Sequence, residues 1–75
     1  MTENEIVEIL KEENEEFKKI FNEHRELDAK LAEMSKKHYL TSEEEIEKKR
    51  MQKEKLLKKD RIAEIIREYK KQKNL

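Results

Sequence analysis

The side chains that most suggest acid–base or metal chemistry in this sequence are His24, Asp28 and Asp60. His24 and Asp28 lie four residues apart, about one turn of a helix, so their side chains are expected to be neighbours. A histidine assisted by a carboxylate is a candidate pH switch or metal ligand. A carboxylate buried beside a pocket is a candidate general base. One histidine with scattered carboxylates does not make a metal site, so the sequence favours a structural role.

That structural role is a place on the seam, meaning the stripe of residues along which two helices pack. His24 falls between Ile20 and Leu27 at helical spacing, and Asp60 is expected to face the same seam from a second helix. A polar group on a seam needs a partner. We therefore expect His24 to make a hydrogen bond that sets the register of the two helices, and Asp60 to make an ion pair or a hydrogen bond with His24 or with a lysine.

The composition leaves helices as the elements that position these residues. The 75 residues contain no glycine, proline or cysteine, and 51% of them are charged. Turns of β folds and phosphate-binding loops need glycine or proline, and disulfides and thiolate metal sites need cysteine. Two long helices also provide no cleft of enzyme size. We expect an all-α chain, a single domain over residues 1–75, with no cofactor and no enzymatic activity.

The first half of the chain has the spacing of a helix-packing stripe over about residues 3–38. Thr2 and Glu5 have the spacing of a capping box, which starts a helix. Asn14 is a candidate N-cap inside this stretch, so the sequence leaves open whether residues 3–12 form a short helix of their own. The predicted seam repeats three and four residues apart: Ile6, Leu10, Glu13, Phe17, Ile20, His24, Leu27, Leu31, Met34 and His38.

A second helix is predicted over about residues 42–73, after a turn at about 39–41. Thr41 and Glu44 have capping-box spacing. The apolar residues of this helix are Ile46, Met51, Leu56, Leu57, Ile62, Ala63, Ile65, Ile66 and Tyr69. Because its middle is poor in apolar residues, we expect the stems of Lys49 and Lys53 to cover the first helix. The fold is then a long antiparallel helical hairpin, coiled-coil-like and ~50 Å long.

The open end of this hairpin carries more apolar surface than a two-helix seam buries. Either the N-terminal segment folds over it as a third helix or another chain covers it. We favour a homodimer, with the open end also available to an unidentified protein partner. The residues of this expected interface are Ile6, Val7, Ile9, Leu10, Ile62, Ile65, Ile66 and Tyr69.

The charges divide between the two halves. Residues 1–38 carry eleven acids and seven bases, whereas residues 39–75 carry eight acids and twelve bases. Ion pairs between the helices explain this division, and nucleic-acid binding by the basic second helix is the alternative. The N-terminus lacks the pattern of a signal peptide, and no apolar run approaches the ~20 residues of a membrane span. A cytoplasmic protein is expected, without membrane contact.

Two stretches of the sequence resemble the signature of the YdcH-like small bacterial proteins. They are residues 10–28, with His24-Arg25-Glu26-Leu27-Asp28, and residues 53–60, with Lys55-Leu56-Leu57-Lys58-Lys59-Asp60. The chain departs from the pattern at Glu15, where members often have proline, and at Lys58, where they have an apolar residue. The resemblance implies a bacterial α-helical hairpin in a family without established function.

The function most consistent with these features is protein–protein interaction or self-association through a coiled-coil module. Two smaller features complete the expectations. Phe17 and Phe21, four residues apart, are predicted to pack in the core. Tyr39 and Leu40 are expected at the turn, where they either fold over the hairpin tip or form a docking point, and His38 is expected at the end of the first helix.

Overall fold

Three α-helices make up the computed structural model, which describes residues 1–73. They are α1 (Glu3–Glu13), α2 (Glu15–Ser35) and α3 (Ser42–Gln72), and residues 1–73 contain no strand. α2 and α3 form an antiparallel hairpin, and α1 packs against both at the open end. The longest dimension of the molecule is 48 Å. The predicted all-α hairpin is confirmed, and the separate short N-terminal helix that the sequence left open is present.

Asn14 separates α1 from α2. Its backbone is extended (φ −121°, ψ 107°), while its N–H still donates to the carbonyl of Leu10 at 2.9 Å. Its side-chain Oδ1 accepts from the N–H of Phe17 at 3.0 Å, so the same residue ends one helix and caps the next. Glu15 and Glu16 in the first turn of α2 add a favourable interaction with the helix dipole. The single extended residue lets α1 turn back onto the hairpin.

Replacing Asn14 with Ala is expected to lower the free energy of unfolding by about 1 kcal/mol, because the cap on the Phe17 N–H is lost. Chemical denaturation followed by circular dichroism measures the change. Asn22→Ala, an exposed asparagine within α2, is the matched control and should leave the stability unchanged or raise it slightly. Equal effects of the two substitutions would show that Asn14 contributes nothing as a cap.

The first long helix ends earlier than predicted, at Ser35 and not at about 38. The hydroxyl of Ser35 donates to the carbonyl of Ala32 at 2.7 Å, and the next two N–H groups bond three residues back, which tightens and ends the helix. The connection therefore spans residues 36–41, not 39–41. His38 lies in this connection and is exposed, so its predicted place at the helix end is wrong.

α3 begins and ends within one residue of the predicted bounds. The capping box predicted at its start is present: the Thr41 hydroxyl accepts from the N–H of Glu44 at 3.1 Å, and a carboxylate oxygen of Glu44 accepts from the N–H of Thr41 at 3.1 Å. Three glutamates in the first turn and two lysines in the last turn suit the helix dipole.

The hydrophobic core lies at the open end, where all three helices meet. Its buried residues are Ile6, Leu10, Phe17, Ile65 and Ile66. Half-buried residues surround this cluster: Val7, Ile20, Phe21, Ile62 and Tyr69. Phe17 and Phe21 stack with their ring centroids 5.8 Å apart, as their spacing predicted. Of the two ways to cover the open end, the folded chain uses its own third helix.

The seam of α3 differs from the prediction in the middle of the hairpin. Ile46, Leu56 and Leu57 are 70%, 58% and 60% exposed. The less exposed residues at regular three-and-four spacing are Glu44, Lys48, Met51, Lys55, Lys58, Ile62, Ile65 and Tyr69. The core residues of α3 at positions 62, 65 and 69 recur three and four residues apart. The same spacing, continued toward the start of the helix, places positions 55 and 58 toward α2 and positions 56 and 57 away from it. Lysine stems do cover α2, but they belong to other lysines than Lys49 and Lys53.

Candidate functional site

Ion pairs join the two arms of the hairpin along its polar half. Four of them join the two halves of the chain: Asp28–Lys55 at 2.5 Å, Glu16–Arg61 at 2.9 Å, Glu23–Lys58 at 3.4 Å, and Lys37–Glu44. In three of the four, the acid comes from α2 and the base from α3, as the division of charge predicted. These contacts are consistent with the antiparallel register of the hairpin and occupy three bases of α3.

The ion pairs shift the titration of their members. The hydrogen bond and the charge of Lys55 lower the pKa of Asp28 below its ordinary value. The hydrogen bond from Lys37, and then that from the Thr41 backbone, lower the pKa of Glu44. The hydrogen bond to Glu16 raises the pKa of Arg61. All three shifts favour the charged forms, as expected for pairs that form on folding.

Acid is expected to weaken the hairpin through these two carboxyl groups. Because folding lowers both pKa values, their stabilisation is complete above the ordinary values of 3.8 for Asp28 and 4.5 for Glu44. It is lost as the pH falls through the lowered native values. Thermal melting of wild type and of the double variant Asp28→Asn, Glu44→Gln between about pH 6 and about pH 2 measures this loss.

The double variant should melt below wild type at neutral pH, and the difference should shrink in acid. Glu26→Gln is the control, since Glu26 is exposed and makes no ion pair within residues 1–73. A difference between wild type and double variant that stays constant across the pH range would contradict the assignment of these pairs.

The residues singled out for chemistry do not form a site. His24 lies half-buried on the α2 seam, and its Nε2 is shielded from solvent with no hydrogen-bond partner among the described residues. Asp60 is exposed, so its predicted place on the seam is wrong, and the hydrogen bond expected to set the register is not made. Within residues 1–73, no group of three or more such side chains is placed to hold a metal ion.

The eight residues predicted as an interaction surface lie largely inside the molecule. Four of them are buried in the core of the chain: Ile6, Leu10, Ile65 and Ile66. The other four are half-buried: Val7, Ile62 and Tyr69 pack against this core, and Ile9 lies on α1. Of the two alternatives for covering the open end, the structure shows the third helix: α1 folds over α2 and α3, so these eight residues do not form an exposed interaction surface.

The exposed aliphatic residues of α3 lie elsewhere, outside the positions that pack on α2. Ile46, Arg50, Lys53 and Leu57 are all exposed and recur four, three and four residues apart. We call these four residues the outer stripe. Their spacing is that of a helix-packing seam, and it runs parallel to the seam that α3 already uses against α2. The sequence carries this signal, but it does not separate Ile46 and Leu57 from the apolar residues that face α2. We call the less exposed positions of α3 that face α2 the inner seam: 44, 48, 51, 55, 58, 62, 65 and 69.

Two shallow surface grooves flank α3 near the outer stripe. Leu57 borders a groove of about 240 Å³ with Ile20. Leu56 borders one of about 450 Å³ with Leu31 on the other flank. Both grooves are open to solvent. In each of them an exposed leucine of α3 lies beside a half-buried aliphatic side chain of α2. The middle of α3 thus presents a partly apolar surface that the chain itself leaves uncovered.

Tyr39 marks a second exposed site, in the connection between α2 and α3. Its side chain is 90% exposed, whereas the adjacent Leu40 is half-buried. The sequence left open whether these two residues fold over the hairpin tip or face outward. Leu40 folds toward the hairpin, and Tyr39 faces solvent.

Comparison with known proteins places the hairpin in a family. A family model described as "Protein of unknown function (DUF465)" matches residues 17–66, which span most of α2 and α3 and leave out α1. No curated protein and no solved structure matches the chain significantly. None of the described helices is long and apolar enough to cross a membrane. DUF465 is the family that contains the YdcH-like proteins, in agreement with the resemblance of the two signature stretches. The chain belongs to the DUF465 family of proteins of unknown function.

Proposed function

We propose that the protein is a non-enzymatic module that binds another protein through the outer stripe of α3. The observation that carries this proposal is the exposure of Ile46 and Leu57, at 70% and 60%, in a helix whose other large aliphatic residues mostly pack inward. Exposed aliphatic side chains aligned at seam spacing are typical of a helix that docks on another helix. Both residues lie within the range matched by the family model.

The shape of the molecule supports binding in preference to catalysis. The grooves beside α3 are shallow, and enzyme sites are usually concave pockets that bury most of a ligand. A long helical face suits an extended contact with a second helix. The core at the open end holds this face in place through the packing of α1 on both other helices.

Nucleic-acid binding by α3 is the alternative, and the ion pairs weigh against it. Lys55, Lys58 and Arg61 each pair with an acid of α2, which lowers the positive charge available for phosphates. The basic residues that remain on the outer stripe are accompanied by aliphatic residues and by no aromatic one. Proteins that bind single-stranded nucleic acids usually stack the nucleobases on aromatic rings, which this stripe lacks. Retention on heparin with a steep dependence on salt concentration would favour this alternative.

A photo-crosslinking amino acid at position 57 of the full chain tests the proposal in cells. The expected result is a discrete adduct with one other protein, lost when Ile46→Glu is added to the same chain. Position 19, exposed on α2, is the matched control and should give no such adduct. Identical adducts at both positions, an adduct insensitive to Ile46→Glu, or an adduct that nuclease removes would each overturn the proposal.

A further inference from the structure

The charges of the outer stripe are all of one sign. Its two central residues, Arg50 and Lys53, are exposed and make no ion pair within residues 1–73. Lys49 is also exposed and adjoins them. The stripe therefore has an aliphatic residue at each end, about 16 Å apart at 1.5 Å per residue, and positive charge between them.

The acidic residues of the same segment lie to one side of the stripe. Glu47 and Glu54 each follow a residue of the inner seam by three positions, which places them on the flank of α3 nearest α2. Glu54 borders the surface grooves that α3 forms with α2, beside Ile20 in one and Leu27 in the other. Glu47 and Glu54 are helical neighbours of Arg50, three residues before it and four after it, but neither pairs with it within residues 1–73. The exposed bases Lys49, Arg50 and Lys53 outnumber these two acids, so the centre of the outer stripe keeps a positive charge.

A second copy of the chain does not suit this stripe. If two copies paired antiparallel, Ile46 would lie opposite Leu57, but Arg50 would lie opposite Lys53. In a parallel pair, each base would face its own equivalent. Like charges placed opposite each other oppose association, whereas opposite charges favour it and fix the register.

We propose that the occupant of the outer stripe is an acidic amphipathic helix of another protein, with aliphatic residues that meet Ile46 and Leu57 and carboxylates that meet Arg50 and Lys53. The inference rests on the proposed function and names the class of partner. The aliphatic ends supply the buried apolar area, and the two central ion pairs select the sign of the partner's charge.

Two synthetic helical peptides test this inference against the isotopically labelled full chain by nuclear magnetic resonance. Both carry leucines eleven residues apart, and they differ only at the two intervening seam positions, which are glutamates in one and lysines in the other. The acidic peptide should shift the amide signals of residues 46–57 and bind at least about tenfold more tightly than the basic one. The double variant Arg50→Glu, Lys53→Glu should reverse that preference.

The variant is expected to keep the wild-type circular dichroism spectrum, because both positions are exposed. Equal binding of the two peptides, or no binding of either at about 1 mM, would overturn the inference. A dimer in sedimentation that Leu57→Glu abolishes would overturn it in favour of a second copy. If the inference fails while the crosslink at position 57 still yields a stripe-dependent protein adduct, the proposed function stands. Loss of that adduct removes the proposed function itself.

Discussion

Phe17→Ala is expected to lower the free energy of unfolding by about 3–5 kcal/mol. The side chain is fully buried, at 0% exposure, in the cluster where α1, α2 and α3 meet. Its ring also stacks on Phe21, so truncation removes both buried area and an aromatic contact. A single small core rarely supplies more than about 5 kcal/mol, so the variant should be largely unfolded at room temperature. Urea denaturation followed by circular dichroism measures the loss.

The matched control for this truncation is Tyr39→Ala. It also removes an aromatic ring, but from a side chain that is 90% exposed in the connection between α2 and α3. Its stability should stay within about 0.5 kcal/mol of wild type. A loss below about 1 kcal/mol for Phe17→Ala would contradict the place of Phe17 at the centre of the core.

Ile66→Asp is expected to unfold the chain at neutral pH. Ile66 is 6% exposed and lies in the same three-helix cluster, where an ionised carboxylate would have no partner. The combined loss of the aliphatic side chain and burial of a charge should exceed about 4 kcal/mol, which is comparable to the whole stability of a small domain. Far-ultraviolet circular dichroism should show loss of helix.

The Ile66→Asp substitution also tests whether Ile66 belongs to the core of the chain or to an interface between two chains. If Ile66 lay in a homodimer interface, the variant would become a monomer and the melting of wild type would depend on protein concentration. As a core residue, it should unfold the chain at every concentration. Leu57→Asp is the control, because Leu57 is 60% exposed, and it should retain the fold. A folded, monomeric Ile66→Asp variant would return this residue to an interface.

Local signals in the sequence were sufficient for the helices and most of their limits. Capping residues act on N–H groups within the next turn, so Thr2, Asn14 and Thr41 each marked a helix start without reference to the rest of the chain. The apolar spacing of α2 likewise predicted its inner face, since Phe17 and Leu27 are both buried. The end of α2 at Ser35 was missed because a serine hydroxyl bonded to a carbonyl is a weak signal within a helical pattern.

The packing of α3 required the tertiary structure. This helix carries aliphatic residues on two stripes, one through Met51 and Ile62 and one through Ile46 and Leu57, and sequence spacing is compatible with either stripe facing α2. The core at the open end sets the rotation of the helix. The ion pairs of Lys55 and Lys58 are consistent with that rotation, and the stems of these lysines cover the seam. The candidate binding surface is the outer stripe, which this rotation of α3 leaves exposed.

The composition and caps alone determined an all-α hairpin and marked Asn14 as a candidate break, because helix formation and capping depend on residues within a few positions of each other. Whether a separate first helix forms was decided only by the tertiary structure. The tertiary structure decided which apolar residues became core and which stayed exposed. At the open end, α1 covers Ile65 and Ile66, a result that sequence spacing could not separate from coverage by a second chain. Both arrangements bury the same side chains, and only the position of α1 after the extended residue Asn14 distinguishes them.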